Sequence, residues 1–158
     1  MKKIIIISVS LLIVFFQYKI LFAEREKFGI GFILGDPSGL TGKIIIDEIS
    51  AIDLGIGDSL GEGYYLYGDL LIHSNEIIPA ERFLTYIGIG IGFHHFEKER
   101  RIKDDIEENR IGVRVPFGVE YLTPNVPFGI FIELVPELRI SPEVDFGFRA
   151  GLGARFYF

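Results

Sequence analysis

The sequence predicts an all-β fold, an eight-stranded antiparallel up-and-down transmembrane β-barrel, and three observations carry that prediction. The first is residues 146–158, FGFRAGLGARFYF. Phe146, Phe148, Ala150, Leu152, Ala154, Phe156 and Phe158 are apolar, and they alternate with Gly147, Arg149, Gly151, Gly153, Arg155 and Tyr157. A period of two places these two sets on opposite faces of a strand. The second is length: the apolar face is unbroken over thirteen residues, and a strand crosses a bilayer with about 9–11. Lipid outside and a polar lumen inside produce this alternation. The third is that the rest of the chain repeats the pattern in short stretches separated by turn residues.

The chain has 158 residues, 49% hydrophobic and 14% aromatic, with a net charge of −6 and no cysteine. Without cysteine there is neither a disulfide framework nor a site for an N-terminal lipid. Met1, Lys2 and Lys3 precede an apolar run over residues 4–16 and a less uniform stretch ending at Ala23. A basic start, a short apolar core and a small residue read as a secretory signal over residues 1–23, removed to leave a barrel domain over 24–158. A retained anchor is the alternative, although the run is shorter than the roughly 20 residues a spanning helix needs. Removal takes three lysines with it and leaves a net charge of −9. That balance argues against nucleic acid, which needs a basic face.

In chain order, the first strand is predicted over 27–34 (KFGIGFIL), followed by a Gly-Asp-Pro-Ser-Gly turn at 35–39. The second covers 40–47, with Lys43 and Asp47 on its polar face, and the third 51–58, with Asp53 on that face. The fourth, 64–73, sets Tyr65, Tyr67, Asp69 and His73 against Tyr64, Leu66, Leu70 and Ile72. The fifth, 82–96, turns Phe83, Ile87, Ile89, Ile91 and Phe93 outward and Gly88, Gly90 and Gly92 inward. Those glycines either leave room for side chains projecting across the lumen or let the strand bend. The sixth, 110–122, carries Arg114 and Glu120 inward; the seventh, 128–140, carries Glu133, Glu137 and Arg139 inward. The eighth is 146–158. Pro116 and Pro136 each remove a ladder bond, and a bulge that shifts the register between Leu134 and Leu138 is expected near Pro136.

An even strand count returns both termini to one side, the periplasmic side of a bacterial barrel. The charged segment 97–109, EKERRIKDDIEEN, then falls on the outside, where longer loops belong. Outward Phe28, Phe83, Tyr121, Phe128, Phe156 and Phe158 mark one strand end, and Tyr64, Phe93 and Phe146 the other, as interfacial girdles require.

Eight strands enclose a space that side chains can fill. A structural charge cluster of Arg114, Glu120, Glu133, Glu137, Arg139, Arg149 and Arg155 is expected in it, paired between the neighbouring sixth, seventh and eighth strands. Unpaired, each buried charge would cost several kcal/mol. A narrow ion path is the sharper reading of the same residues. For catalysis, His94 and His95 are adjacent and so point to opposite faces; Ser59 and Ser74 lie in no nucleophile elbow, and the glycine-rich segments precede no helix. The chain is therefore expected not to be an enzyme and to carry no cofactor or metal. Loop residues Arg100, Arg101, Lys103, Asp104 and Asp105 are the candidate contact for an extracellular ligand.

The alternating approach to the aromatic Phe158, with Phe156 before it, resembles the C-terminal assembly signal of bacterial outer-membrane barrels, which implies delivery by the outer-membrane barrel assembly machinery. Together, KFGIGFILGDPSGLTGK, RIGVRVPFGVEYL and GLGARFYF resemble an uncharacterised family of small bacterial outer-membrane barrels, spirochaete ones among them. That family is similar to the transmembrane domain of OmpA- and OmpX-type proteins. The resemblance implies an outer-membrane barrel in contact with lipid and supplies no catalytic residue. Because the chain is expected to end with its eighth strand, it implies no peptidoglycan-binding role. The function expected is an envelope-structural one, with surface interaction or adhesion through loops. The rivals are a soluble periplasmic lipocalin-like carrier, a lipid-modifying barrel enzyme and a narrow ion channel.

Overall fold

The computed structural model describes residues 27–60, 63–74, 76–78, 80, 82–96 and 108–158. Within them the chain is all-β: β1 (Phe28–Gly35), β2 (Ser38–Ile45), β3 (Ser50–Asp58), β4 (Gly63–Ser74), β5 (Phe83–Phe96), β6 (Glu108–Arg114), β7 (Phe117–Leu122), β8 (Phe128–Ser141) and β9 (Asp145–Tyr157). Every pairing is antiparallel, and β9 pairs back onto β1, so the sheet is a closed ring without free edges along its length. β1 begins and β9 ends at the same end of the ring, the terminal end, where Phe28 and Phe158 exchange backbone hydrogen bonds of 3.2 and 2.8 Å.

The ring has eight staves. β6 and β7 share one stave, both lying between β5 and β8. The predicted sixth strand is thus present but divided at Val115-Pro116, where proline has no N–H to give to β5. The ladder survives around it: Gly88 N–H donates to the Pro116 carbonyl at 2.9 Å, and Val115 N–H to the Pro136 carbonyl at 3.0 Å. The same register runs through β6 and β7 against both neighbours, from Gly90↔Arg114 to Ile87↔Phe117 and from Arg114↔Glu137 to Phe117↔Leu134.

The bulge expected near Pro136 is absent. Leu134, Val135, Pro136, Glu137 and Leu138 pair with Ala150, Arg149, Phe148, Gly147 and Phe146 without a slip. The missing N–H of Pro136 faces only the Val115 position, so β8–β9 pairing does not feel it. The irregularity lies instead between Ile111 and Gly112, opposite Arg139 and Ser141 near the strand end. A bulge costs less there, since fewer bonds follow it.

Walking straight across the ladder from Ile30 passes Gly42, Leu54, Gly68, Ile91, Val113 and Leu138 and reaches Phe146. Extended along β1, the β1–β9 register puts Phe146 opposite position 40, about ten residues above the start. That stagger tilts the strands by roughly 40° to the barrel axis.

Side chains sort by the pleat. Ile30, Leu54, Leu70, Ile89, Ile91, Ile132, Phe148 and Leu152 point outward and are exposed; Tyr65, Tyr67, Tyr86 and Phe131 are buried inside with the charged groups. The three β5 glycines make room for neighbours. A Cβ on Gly88 would lie 2.6 Å from the Leu71 side chain, one on Gly90 would strike Asp69 Oδ1, and one on Gly92 would strike the Tyr65 hydroxyl. Of the two sequence readings of this glycine face, side chains crossing the lumen is the one the packing supports.

Gly90 faces Asp69 on one side and Arg114 on the other. A Gly90→Val substitution is expected to force those partners apart and destabilise the barrel by about 3 kcal/mol or more. Gly42→Ala, whose Cβ would meet nothing nearer than the Gly29 carbonyl at 3.7 Å, should stay within about 0.5 kcal/mol of the parent. Urea unfolding in detergent, followed by gel mobility, checks both.

Candidate functional site

Every strand but β1, whose inward residues are Gly29, Gly31 and Ile33, carries polar side chains on its inward face, and the ring brings them into contact. Nearest the terminal end, Lys43 on β2 reaches across the lumen to Glu120 on β7, with Nζ 2.7 Å from Oε2. The Tyr157 hydroxyl donates to the other Glu120 oxygen. One level further in, Arg155 on β9 places Nη2 at 2.6 and 2.9 Å from the two oxygens of Asp53 on β3, and donates to Thr41 Oγ1 at 2.7 Å. Its guanidinium lies 3.9 Å from the centre of the Phe131 ring, a cation–π contact.

At mid-height two carboxylates converge on Arg114. Nη2 lies 3.1 Å from Glu133 Oε1, and Nε lies 2.9 Å from Asp69 Oδ1. The second contact is an ion pair rather than an aligned hydrogen bond, because neither Asp69 oxygen has a hydrogen-bond donor in line. Tyr86 donates to Glu133 Oε2 at 3.0 Å, and the Tyr67 ring lies 3.9 Å from the Arg114 guanidinium carbon. Toward the far end, Arg149 Nε donates to Glu137 at 2.7 Å and Nη1 to Asp36 at 2.6 Å, the latter in the β1–β2 turn. Ser59 and Tyr65 complete this level, Ser59 accepting from Arg149 Nη1 at 2.8 Å and Tyr65 donating to Glu137 at 3.1 Å.

Six of the seven residues expected in the charge cluster meet in this interior: Arg114, Glu120, Glu133, Glu137, Arg149 and Arg155 are each at most 3% exposed. Arg139 does not join them. It sits at the rim, paired at 2.8 Å with an exposed Asp145. Asp47, which the alternation placed inward, is a turn residue instead. Its Oδ1 accepts from Ile49 N–H at 2.9 Å and Ser50 N–H at 2.8 Å, and those backbone donors hold its carboxyl below the ordinary value. β2 ends at Ile45, so position 47 no longer obeys the strand period.

The partners also differ from the expectation of neighbours pairing within the last three strands. Lys43, Asp53 and Asp69 come from β2, β3 and β4 and cross to β7, β9 and β6. Asp36 and Ser59 were not foreseen, since both lie in turns where no period reports their direction. Tyr65, Tyr67, Tyr157 and Thr41 were legible only as members of the inward face.

Phe156 and Phe158 are outward, and the Phe158 ring stacks on Phe28 with centroids 6.4 Å apart. His94 is buried inside while His95 faces the other way, its Nδ1 2.7 Å from Asn109 Oδ1. Ser59 donates to Asp36 Oδ1 at 2.6 Å and accepts from Arg149 Nη1 at 2.8 Å. Among the described residues no group of three or more His, Asp or Glu side chains is placed to hold a metal. Arg100, Arg101, Lys103, Asp104 and Asp105 fall outside the described residues, as does the 1–23 segment.

At the terminal end the interior opens into a cavity of about 340 Å³. Its floor is the Lys43–Glu120–Tyr157 group. Its wall is an apolar collar of Ile45, Leu84 and Leu122, with Val126 leaning in from the β7–β8 turn.

Arg114 is the group whose loss leaves the most uncompensated charge. Arg114→Met is expected to destabilise the barrel by about 3–5 kcal/mol. Adding Asp69→Leu should recover part of that loss, and equilibrium unfolding of the single and double variants measures the coupling.

The family described as "protein of unknown function (DUF3996)" matches residues 22–156. No curated protein matches the chain. Among solved structures, the N-terminal β-barrel domain of Pseudomonas aeruginosa OprF superposes with a TM-score of 0.62 at 15% identity, over 85% of this chain and 98% of that one. The likeness is one of fold.

Proposed function

The chain belongs to the DUF3996 family, and from that footing we propose that it is an integral outer-membrane β-barrel with a structural role in the envelope. The observation that carries the proposal is an inversion of the usual arrangement of a water-soluble protein. Arg114, Arg155, Asp53 and Glu133 are buried, while Phe32, Leu54, Ile89, Ile91, Leu152 and their neighbours form a continuous exposed apolar band. Water would penalise such a band, and monomeric soluble proteins rarely expose apolar patches beyond a few hundred Å². A bilayer rewards it and tolerates a closed barrel because the ladder around the ring leaves few backbone groups unpaired.

The same geometry disfavours the lipocalin-like carrier, whose apolar face would have to line the interior. In this reading the termini face the periplasm, residues 1–23 serve as the export signal, and barrel assembly machinery inserts the chain. The crossed ion pairs close the lumen to solutes, so the barrel is a scaffold rather than a porin or an enzyme. The charged 97–109 segment is then the part offered to the outside, as an adhesin-like contact. The OprF domain supports the barrel, its fold being shared over most of both chains.

Leu152 is outward and 53% exposed near the middle of β9. Leu152→Arg should lower stable membrane insertion, since a charge at the bilayer midplane costs roughly 2–4 kcal/mol. Detergent-phase partition with heat-modifiable gel mobility tests the whole proposal. The parent chain is expected in the detergent phase with a folded form that migrates separately from the boiled one. Recovery of a folded species from the aqueous phase would overturn it. In planar bilayers the folded chain is expected to show no porin-sized conductance.

A further inference from the structure

At the end opposite the termini, β9 outruns the strand beside it. The β1–β9 ladder stops at Gly35↔Gly151, with one further bond from Asp36 N–H to the Ala150 carbonyl at 2.9 Å. β9 itself begins at Asp145 and is held on its other side by β8, from Arg149↔Val135 to Asp145↔Arg139. Among the described residues, 145–149 therefore have a strand partner on one edge only.

The parity of the strand fixes which groups are left over. In an antiparallel ladder alternate residues turn both N–H and C=O toward the same neighbour. Phe158 bonds with Phe28, and Ala150 accepts from Asp36, so the even-numbered residues of β9 face β1. Tyr157 N–H donates to the Pro127 carbonyl at 2.8 Å, so the odd-numbered ones face β8. Phe146 and Phe148 thus turn two N–H and two C=O groups toward a strand position that no described residue fills. Their side chains point outward and are 68% and 59% exposed. A row of this kind is a template for one more strand.

Its height makes it reachable. Phe148 lies ten residues before Phe158. At about 3.3 Å per residue and a tilt of roughly 40°, that is about 25 Å above the terminal end, the height of a barrel's apolar band. The open edge starts where hydrocarbon gives way to water, and unpaired backbone is tolerated only beyond that level.

We propose that this edge binds an extended peptide segment of an extracellular partner by strand addition. Apolar side chains of the added strand lie beside Phe146 and Phe148. Small polar ones lie on its other face, above the pairs of Asp145 with Arg139 and Asp36 with Arg149. A second copy of this chain is not the occupant. Two such edges pair antiparallel about a two-fold axis normal to the sheet, which would turn one barrel upside down in the membrane. Rotation about the membrane normal instead crosses the two tilted strands at about 80°. The inference rests on the outer-membrane reading only for the side of the membrane that the edge faces.

The test uses the full chain folded in nanodiscs, with amide deuterium exchange read residue by residue by NMR. In the free barrel Phe146 and Phe148 are expected to exchange at least about 100-fold faster than Gly147 and Arg149, whose amides belong to the β8 seam. The end-capped peptide Lys-Val-Thr-Val-Thr-Val-Lys, added up to about 5 mM, should slow both phenylalanine amides saturably. The same peptide N-methylated at every valine and threonine should not. Phe148→Pro removes one edge N–H and spares the β8 seam, so it should weaken peptide binding about tenfold, read at Phe146. If that variant gives no folded band, Phe146→Pro, read at Phe148, serves the same purpose. Slow exchange of both amides in the free barrel would mean that the chain covers its own edge, and would overturn the proposal. So would a folded barrel that the peptide leaves unprotected, or equal protection by the methylated peptide. Detergent partition reports on the membrane reading separately, because the alternation of fast and slow amides is read within β9 itself.

Discussion

Arg114 holds the centre of the molecule. Its guanidinium lies between Asp69 and Glu133, is faced by the Tyr67 ring and is fully buried. A lone buried charge costs several kcal/mol after relaxation, so neither the arginine nor the two acids can occupy this position without the others. The requirement propagates outward. Asp69 reaches Arg114 over β5, and β5 must therefore present a bare backbone at Gly90. Glu133 is shared with Tyr86, and Tyr86 in turn passes over Gly118, where a Cβ would collide with its ring. Glycines and charges in this barrel are two aspects of one packing problem: long side chains cross the lumen, and the strands they cross stay bare.

The wall meets a second constraint, that of pairing every backbone group. Two prolines sit within the staves of the wall, Pro116 between β6 and β7 and Pro136 in β8, and each costs one ladder bond. They are placed so that the losses fall on adjacent seams: Pro116 toward β5 and Pro136 toward the β6–β7 stave. The remaining bonds at both positions are kept, with the proline carbonyls accepting from Gly88 and Val115. Register is preserved through both sites, so the outward row of Val113, Phe117 and Leu134 stays on the apolar face. Two bonds forgone at mid-wall are tolerable where a slipped register, which would turn every side chain on the strand to the wrong face, would not be.

Much of this was legible in the sequence because a strand's period is two and the two environments differ so sharply. The terminal stretch from Phe146, the β5 run of isoleucines against glycines, and the inward places of Arg114, Glu133 and Arg155 all follow from alternation alone. What alternation cannot report is distance around the ring. Lys43 pairing with Glu120, or Asp53 with Arg155, depends on the ten-residue stagger and on which side chains are long enough to cross, and neither is a local property. Alternation also fails where strands end. Asp47 lies two residues beyond β2 and belongs to a turn, Arg139 lies high enough on β8 to meet solvent, and Asp36 and Ser59 enter the interior from turns. Pro136 misled for a related reason: a proline reads as a break, but whether it breaks the pairing depends on which neighbour its nitrogen faces.

The central claim is that the apolar face touches lipid and the polar face does not. The chain has no cysteine, so single cysteines can carry nitroxide labels without background. Labels at Leu54 on β3 and Leu152 on β9, with Asn125 in the exposed β7–β8 turn as the reference for water, should be read in lipid vesicles by collision with oxygen and with a water-soluble nickel reagent. Leu54 and Leu152 are predicted to relax strongly with oxygen and hardly with nickel, while Asn125 relaxes strongly with nickel. Strong nickel contact at Leu54 and Leu152 would mean that water bathes the apolar face, and the barrel would not be a membrane protein.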